Sequence, residues 1–195
     1  MKELTVEGSL IHWGHAFLQE RVTPGSSVVD ATLGNGHDAL FLAGLVGAGG
    51  RLFGFDIQTA AIGKSRQRLE DGGISAASYQ LFCCGHERML DQIGERFLGK
   101  IQAVMFNLGY LPGADKQVIT HGDSSLMAMD QALRLLGSGG VLSVMCYPGH
   151  SGGDTEAAQV LSWVLEREAS FVECCCIRRA KASKRSPFLL LIVMP

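Results

Sequence analysis

Asp30-Ala31-Thr32-Leu33-Gly34-Asn35-Gly36-His37-Asp38 joins two differently patterned segments through a pair of glycines. Ahead of it, residues 27–32 (SVVDAT) read as a short apolar strand entered from the Pro24-Gly25 turn. Behind it, residues 37–46 (HDALFLAGLV) place apolar side chains at helical spacing. Strand, glycine turn and helix in this order predict one step of an open sheet, whose ligands sit at the carboxyl ends of the strands. Glycines there let the backbone approach a ligand, and a helix N-terminus follows.

The same step repeats along the chain. Strands are predicted at 51–57, 78–83, 101–107, 140–147, 171–178 and 188–194. Helices are predicted at 59–71, stopped by Gly72-Gly73, and at 86–96, where the pattern is weak. Two more follow: 123–136, opened by Asp123 or Ser124 and closed by Gly137, and 154–168, with Asp154 as cap. A further helix candidate, 9–21, precedes the first strand. Strand–helix alternation implies a parallel sheet covered on both faces. The link 179–187 is too short for a crossover and suits a hairpin. The expected fold is therefore α/β, a seven-stranded, mostly parallel sheet with an antiparallel last strand and helices on both faces.

Composition bounds the rest. The 195 residues correspond to about one domain, spanning 1–195. With 47% hydrophobic and 18% charged residues, the chain has the makeup of a packed domain and not of a disordered one. Seventeen Lys and Arg against nineteen Asp and Glu leave a net charge of −2, so any nucleic acid must be held by a local patch. The longest apolar run, 188–194, is too short to span a bilayer, and the N-terminus lacks an apolar signal core. A cytoplasmic protein is expected. The six cysteines include neighbours that point to opposite strand faces and lack zinc spacing, which reads as reduced, buried thiols and no metal site.

Two cofactors compete for the glycine loop. Gly34-x-Gly36-x-x-Ala39 fits the dinucleotide fingerprint, and Asp56, twenty residues after Gly36, fits its ribose acid. S-adenosyl-L-methionine needs the ribose acid but no pyrophosphate cradle. Asp30 before the loop suits a cationic ligand. Polar Asn107 opens Asn107-Leu108-Gly109-Tyr110-Leu111-Pro112-Gly113, and the terminal hairpin matches the reversed last strand of class I methyltransferases. The cofactor-binding candidates are Asp30, Gly34, Asn35, Gly36, His37, Asp38, Asp56, Ile57, Gln58, Gly85, His86 and Asn107. Asp38 has a structural alternative as a helix cap. An NAD-dependent oxidoreductase and a non-catalytic cofactor-binding domain are the rival classes.

DATLGNGHDALFLA, FDIQTAAI, FNLGYLPGADK, YPGHSGGDTE and the closing SPF resemble a small bacterial methyltransferase family long labelled rRNA methylases. The resemblance runs over about 8–193, and Asn107 to Gly113 is its most specific part. It implies a Rossmann-like class I methyltransferase using S-adenosyl-L-methionine without metal. Family members are tRNA 5-aminomethyl-2-thiouridine methyltransferases, which implies methylation of the primary amine on the wobble uridine. An rRNA substrate for the same fold is the alternative. The family's Asn-x-Pro-Pro-Phe-like segment is here Arg185-Ser186-Pro187-Phe188, after an unusually basic loop.

A primary amine with a pKa near 10.4 is neutral in roughly one molecule per thousand at pH 7, so the site must favour the neutral form. The catalytic candidates are Asn107, as an acceptor orienting the amine, Tyr110, and His150, whose ordinary pKa suits proton removal. Leu108, Gly109, Tyr110 and Tyr147 are substrate-binding candidates at the strand tips, and Trp13 and His15 are weaker ones. His12 and His15 alone do not make a metal site. Arg178, Arg179, Lys181, Lys184 and Arg185 cluster between the last two strands, and Asp115-Lys116 offers a second contact. They suit a few phosphate contacts to a small element such as a tRNA anticodon stem-loop. A homodimer is one way to extend that positive surface.

Overall fold

The computed structural model describes residues 1–109, 122–149, 152–183 and 185–195. In chain order the elements are β1 (Lys2–Val6), α1 (Leu10–Gln19), β2 (Ser27–Asp30), α2 (His37–Val46), β3 (Arg51–Asp56), α3 (Thr59–Asp71) and β4 (Tyr79–Cys83). They continue with α4 (Met89–Ile93), β5 (Ile101–Leu108), α5 (Gly122–Leu135), β6 (Leu136–Cys146), α6 (Gly153–Arg167), β7 (Glu173–Arg179) and β8 (Phe188–Val193). The described residues form one eight-stranded sheet in the order β1-β7-β8-β6-β5-β2-β3-β4.

The sheet is parallel except for β8, which runs against both β6 and β7. The reversed strand thus lies inside the sheet. Seven strands are legible in the sequence; the eighth, β1, is the addition. It is an edge strand that half-buries only Leu4 and Val6 and leaves Lys2, Glu3 and Thr5 exposed, as edges that resist pairing with other chains commonly do. The helix predicted at 86–96 is instead a short α4 flanked by single turns at His86–Arg88 and Glu95–Phe97, broken at Gly94. Asp154 does not cap α6. Gly152 occupies that position, and Asp154 lies in the first turn. α5 likewise begins at Gly122, ahead of Asp123 and Ser124.

Alternation along the strands builds two cores. Val28, Leu52, Met105 and Val141 pack with Leu18, Leu42, Ile62 and Leu69 from α1, α2 and α3. Val29, Phe53, Val104, Phe106 and Leu142 face the other way, against Met89, Met129, Leu135 and Trp163 from α4, α5 and α6. No helix among the described residues is long and apolar enough to cross a membrane. Asp30, Asp56 and Asn107 close β2, β3 and β5 at one end of the sheet, and Tyr147 follows β6 there. Because Phe188 pairs with Cys146, the β7–β8 connection opens at that end too.

Candidate functional site

Past Asp30 the chain leaves the sheet but stays tied to it. Ala31 N donates to Met105 O at 2.8 Å and Leu33 N to Phe55 O at 2.9 Å. The Leu33 side chain lies over Gly54, where a Cβ would come within 2.6 Å of Leu33 Cδ2. Gly36 ends the loop in a left-handed conformation, φ +77°, and a Cβ there would meet Ser65 Cα at 2.7 Å. This glycine is therefore demanded by the turn and by the passage of α3, whatever approaches from the other side. Ser65 Oγ donates to Gly34 O at 3.3 Å and Arg68 Nε to Asn35 O at 2.7 Å. On the opposite side, Asp56 Oδ2 accepts from Gly34 N and Oδ1 from Gln58 N, both at 2.9 Å.

Three carboxylates surround this loop. Asp30 is fully buried; Oδ1 accepts from Thr32 N at 3.1 Å, and Oδ2 has no partner among the described residues. Burial first, then the charge of Asp38 and, more weakly, that of Asp56, push its pKa up to about 8. Asp38, in the first turn of α2, makes no capping bond. Its Oδ1 accepts from His15 Nε2 and its Oδ2 from Asn107 Nδ2, each at 2.7 Å. Burial opposes ionisation of Asp38, but the two hydrogen bonds outweigh it and hold the carboxyl below its usual range. A pyrophosphate would place its negative charges beside these acids. A cationic ligand is favoured there, and its charge would favour ionisation of Asp30, whose Oδ2 has no partner among the described residues. The spare lone pairs of Asp56 suit a ribose diol.

Asn107 is held from two sides. Its N–H donates to Thr32 Oγ1 at 2.7 Å, and its amide NH2 is committed to Asp38. An ionised carboxylate only accepts, so the nitrogen must face Asp38 and Oδ1 must face away. Among the described residues, Oδ1 has no hydrogen-bond partner. His15 in turn stacks flat on Phe41, with ring centroids 3.8 Å apart and planes within 6°. One chain of contacts thus links α1, α2 and the tip of β5.

The other candidates are distributed around this centre. His37 and Ile57 are exposed, at the start of α2 and just past Asp56. Gly85 leads into a turn that buries His86, whose Nδ1 donates to Ala31 O at 3.2 Å. Burial lowers the pKa of His86, keeping the ring neutral. The Leu108 side chain is in the core, its carbonyl accepts from Tyr147 N at 3.2 Å, and Gly109 follows it. Tyr147 is half-buried; burial, then the Asp38 charge, hold its phenol protonated. Arg178 lies over the Phe188 ring at 4.4 Å, Lys181 takes a positive φ of 63°, and Arg185 pairs with Asp154 at 3.2 Å. Tyr110, Leu111, Pro112, Gly113, Asp115, Lys116, His150 and Lys184 lie outside the described residues. Sequence reasoning missed Thr32 as the clasp on Asn107 and His15 as the partner of Asp38. These pairs are 75 and 23 positions apart, and nothing in local spacing signals them.

Residues 52–193 match the family described as "Putative rRNA methylase". An Arabidopsis thaliana protein named tRNA (mnm(5)s(2)U34)-methyltransferase, chloroplastic, is 34% identical over 83% of this chain and 61% of its own length. The chain therefore spans about three fifths of that relative. A "putative rRNA-methylase" structure from Clostridium thermocellum superposes with TM-score 0.89 at 34% identity, covering 98% of this chain and 100% of that one. A Streptococcus mutans methyltransferase structure in complex with S-adenosylhomocysteine (SAH) gives 0.85 at 33% identity, covering 97% and 100%.

Proposed function

The chain belongs to the family described as "Putative rRNA methylase"; we propose that it is an S-adenosyl-L-methionine-dependent RNA methyltransferase acting on the primary amine of 5-aminomethyl-(2-thio)uridine at the tRNA wobble position. The name of the Arabidopsis relative and the SAH complex of the Streptococcus mutans neighbour support substrate and cofactor respectively. The observation that carries the reading is the fixed polarity of Asn107, whose amide nitrogen is engaged by Asp38 so that its carbonyl oxygen is presented as an acceptor.

Asp56 would hold the cofactor ribose, Asp30 its cationic end, and 34–38 with Ile57 the surrounding wall. When bound, S-adenosylmethionine supplies an electrophilic methyl on a sulfonium. The protein supplies orientation and electrostatics. Asn107 Oδ1 accepts one N–H of the amine, which fixes the direction of the nitrogen lone pair. An ammonium has no lone pair to offer, so only the neutral amine reacts, and desolvation in the site favours that form. Tyr147 closes the pocket beside β6, with Tyr110 and His150 as the further candidates for stacking and proton removal.

The β7–β8 loop opens at the same end of the sheet and would take RNA phosphates. The Arg185–Asp154 pair is exposed on both sides and exchangeable for a phosphate at little cost. Replacing Lys181, Lys184 and Arg185 together by alanine should weaken tRNA binding and flatten its salt dependence by about two units of slope. Filter binding across a salt series measures this, and an unchanged slope would remove the loop from the RNA path.

The substrate is tested by mass spectrometry of nucleosides from cells with and without this gene. The expected result is loss of 5-methylaminomethyl-2-thiouridine from tRNA and accumulation of its aminomethyl precursor. A second reading, an rRNA substrate, is favoured by the family description and by a Dictyoglomus turgidum protein named Ribosomal RNA small subunit methyltransferase H, 34% identical over 46% of this chain and 30% of its own. Unchanged tRNA with an altered rRNA nucleoside would select it.

A further inference from the structure

We propose that His15 is a positioning residue for methyl transfer, acting through Asp38 on Asn107; the inference rests on the amine-orienting role of Asn107 given above. An asparagine amide has two orientations that match in shape and are opposite in polarity. With Nδ2 toward Asp38, the exposed atom is an acceptor. If the amide turned over, it would present N–H groups to an incoming amine.

Asp38 enforces the productive orientation only as a carboxylate, because a protonated Asp38 has an O–H to donate to Oδ1. Ionisation there is opposed by burial. The groups facing Asp38 are His15 from α1, Asn107 from β5, His37 beside it on α2, Asp30 from β2 and Tyr147 beyond β6. Among the described residues, only His15 and Asn107 hydrogen-bond it. Asn107 is the one that orients the amine, and the N–H that His15 gives Asp38 at 2.7 Å offsets the burial. Its own ring cannot swing away without losing the flat stack on Phe41.

The test is a double-mutant cycle on His15 and Asn107, read as single-turnover methylation of tRNA from cells lacking this gene. His15→Ala should slow the transfer about 10- to 100-fold while SAH affinity, which reports the folded cofactor site, stays within a few-fold. His15→Gln, which keeps an N–H donor near the same place, should recover most of the rate. In the Asn107→Ala background, His15→Ala should cost less than a further twofold. Full rate in His15→Ala, no recovery in His15→Gln, or effects that multiply in the double variant would each overturn the positioning role. Full rate in Asn107→Ala alone would instead overturn the amine-orienting reading beneath it.

Discussion

Asn107→Ala is expected to lower the single-turnover rate of methyl transfer by about 10²- to 10³-fold, with the affinity for SAH changed by no more than a few-fold. The size follows from what is lost. On the proposed reading the amine would lose the acceptor that fixes its lone pair, and orientation of this kind is worth a few kcal/mol at the barrier. Asn107→Asp is informative in the other direction. Two carboxyl groups would then face each other across the position now bridged at 2.7 Å, so one must hold a proton. Its rate should depend on pH in a way the native enzyme's does not. A rate for Asn107→Ala within a few-fold of the native protein would remove Asn107 from the chemistry.

Asp30→Asn is expected to stabilise the ligand-free protein and weaken its hold on the cofactor. The folded-state pKa of Asp30 is raised to about 8 by burial and by the neighbouring acids. Between the ordinary carboxyl range and that value, the folded protein keeps a proton that the unfolded chain has released. Stability from this group is therefore fully present at low pH and is lost as pH rises through the window, by about 1.4 kcal/mol per unit. Asparagine does not titrate, so from pH 5 to pH 8 the variant should gain on the order of 3 kcal/mol over the native protein, or about 10 °C in Tm. Cofactor binding runs the opposite way. A cation favours ionised Asp30, so native affinity for S-adenosylmethionine should rise with pH towards 8, with a proton released. In the variant it should be weaker and flat. Thermal unfolding and calorimetric titration at several pH values measure both. Equal pH slopes for the two proteins would show that Asp30 does not change its protonation in this range.

The fold was legible because its signals are local. The helix predicted at 59–71 is α3 as built, stopped by Gly72-Gly73, and 37–46 is α2, fenced by Gly36 and Gly47. β1 escaped because an edge strand needs few apolar residues, and its partner β7 lies more than 160 positions away. The single turns around α4 escaped because Gly94 and a buried His86 break a pattern that is weak to begin with. Within the site, Asp30, Asp56 and Asn107 were legible as polar residues at strand tips. Their couplings were not. Asp38 looked equally suited to capping α2, and only packing shows it turned toward His15 and Asn107, 23 and 69 positions away.

The reversed strand inside the sheet also orders events during synthesis. β8 lies between β6 and β7, and β1 reaches the rest of the sheet only through β7. Gly14 of α1 packs on Leu189, with Leu189 Cδ2 3.4 Å from where a Cβ would stand. β1 must therefore wait for β7, about 170 positions later in the chain, before it can dock. β2, β3, β4, β5 and β6 pair among themselves without that delay. α1, which carries His15, packs on Leu189, so completing the His15–Asp38–Asn107 chain would wait on residues 188–193, long after the loop at 30–38 has been made.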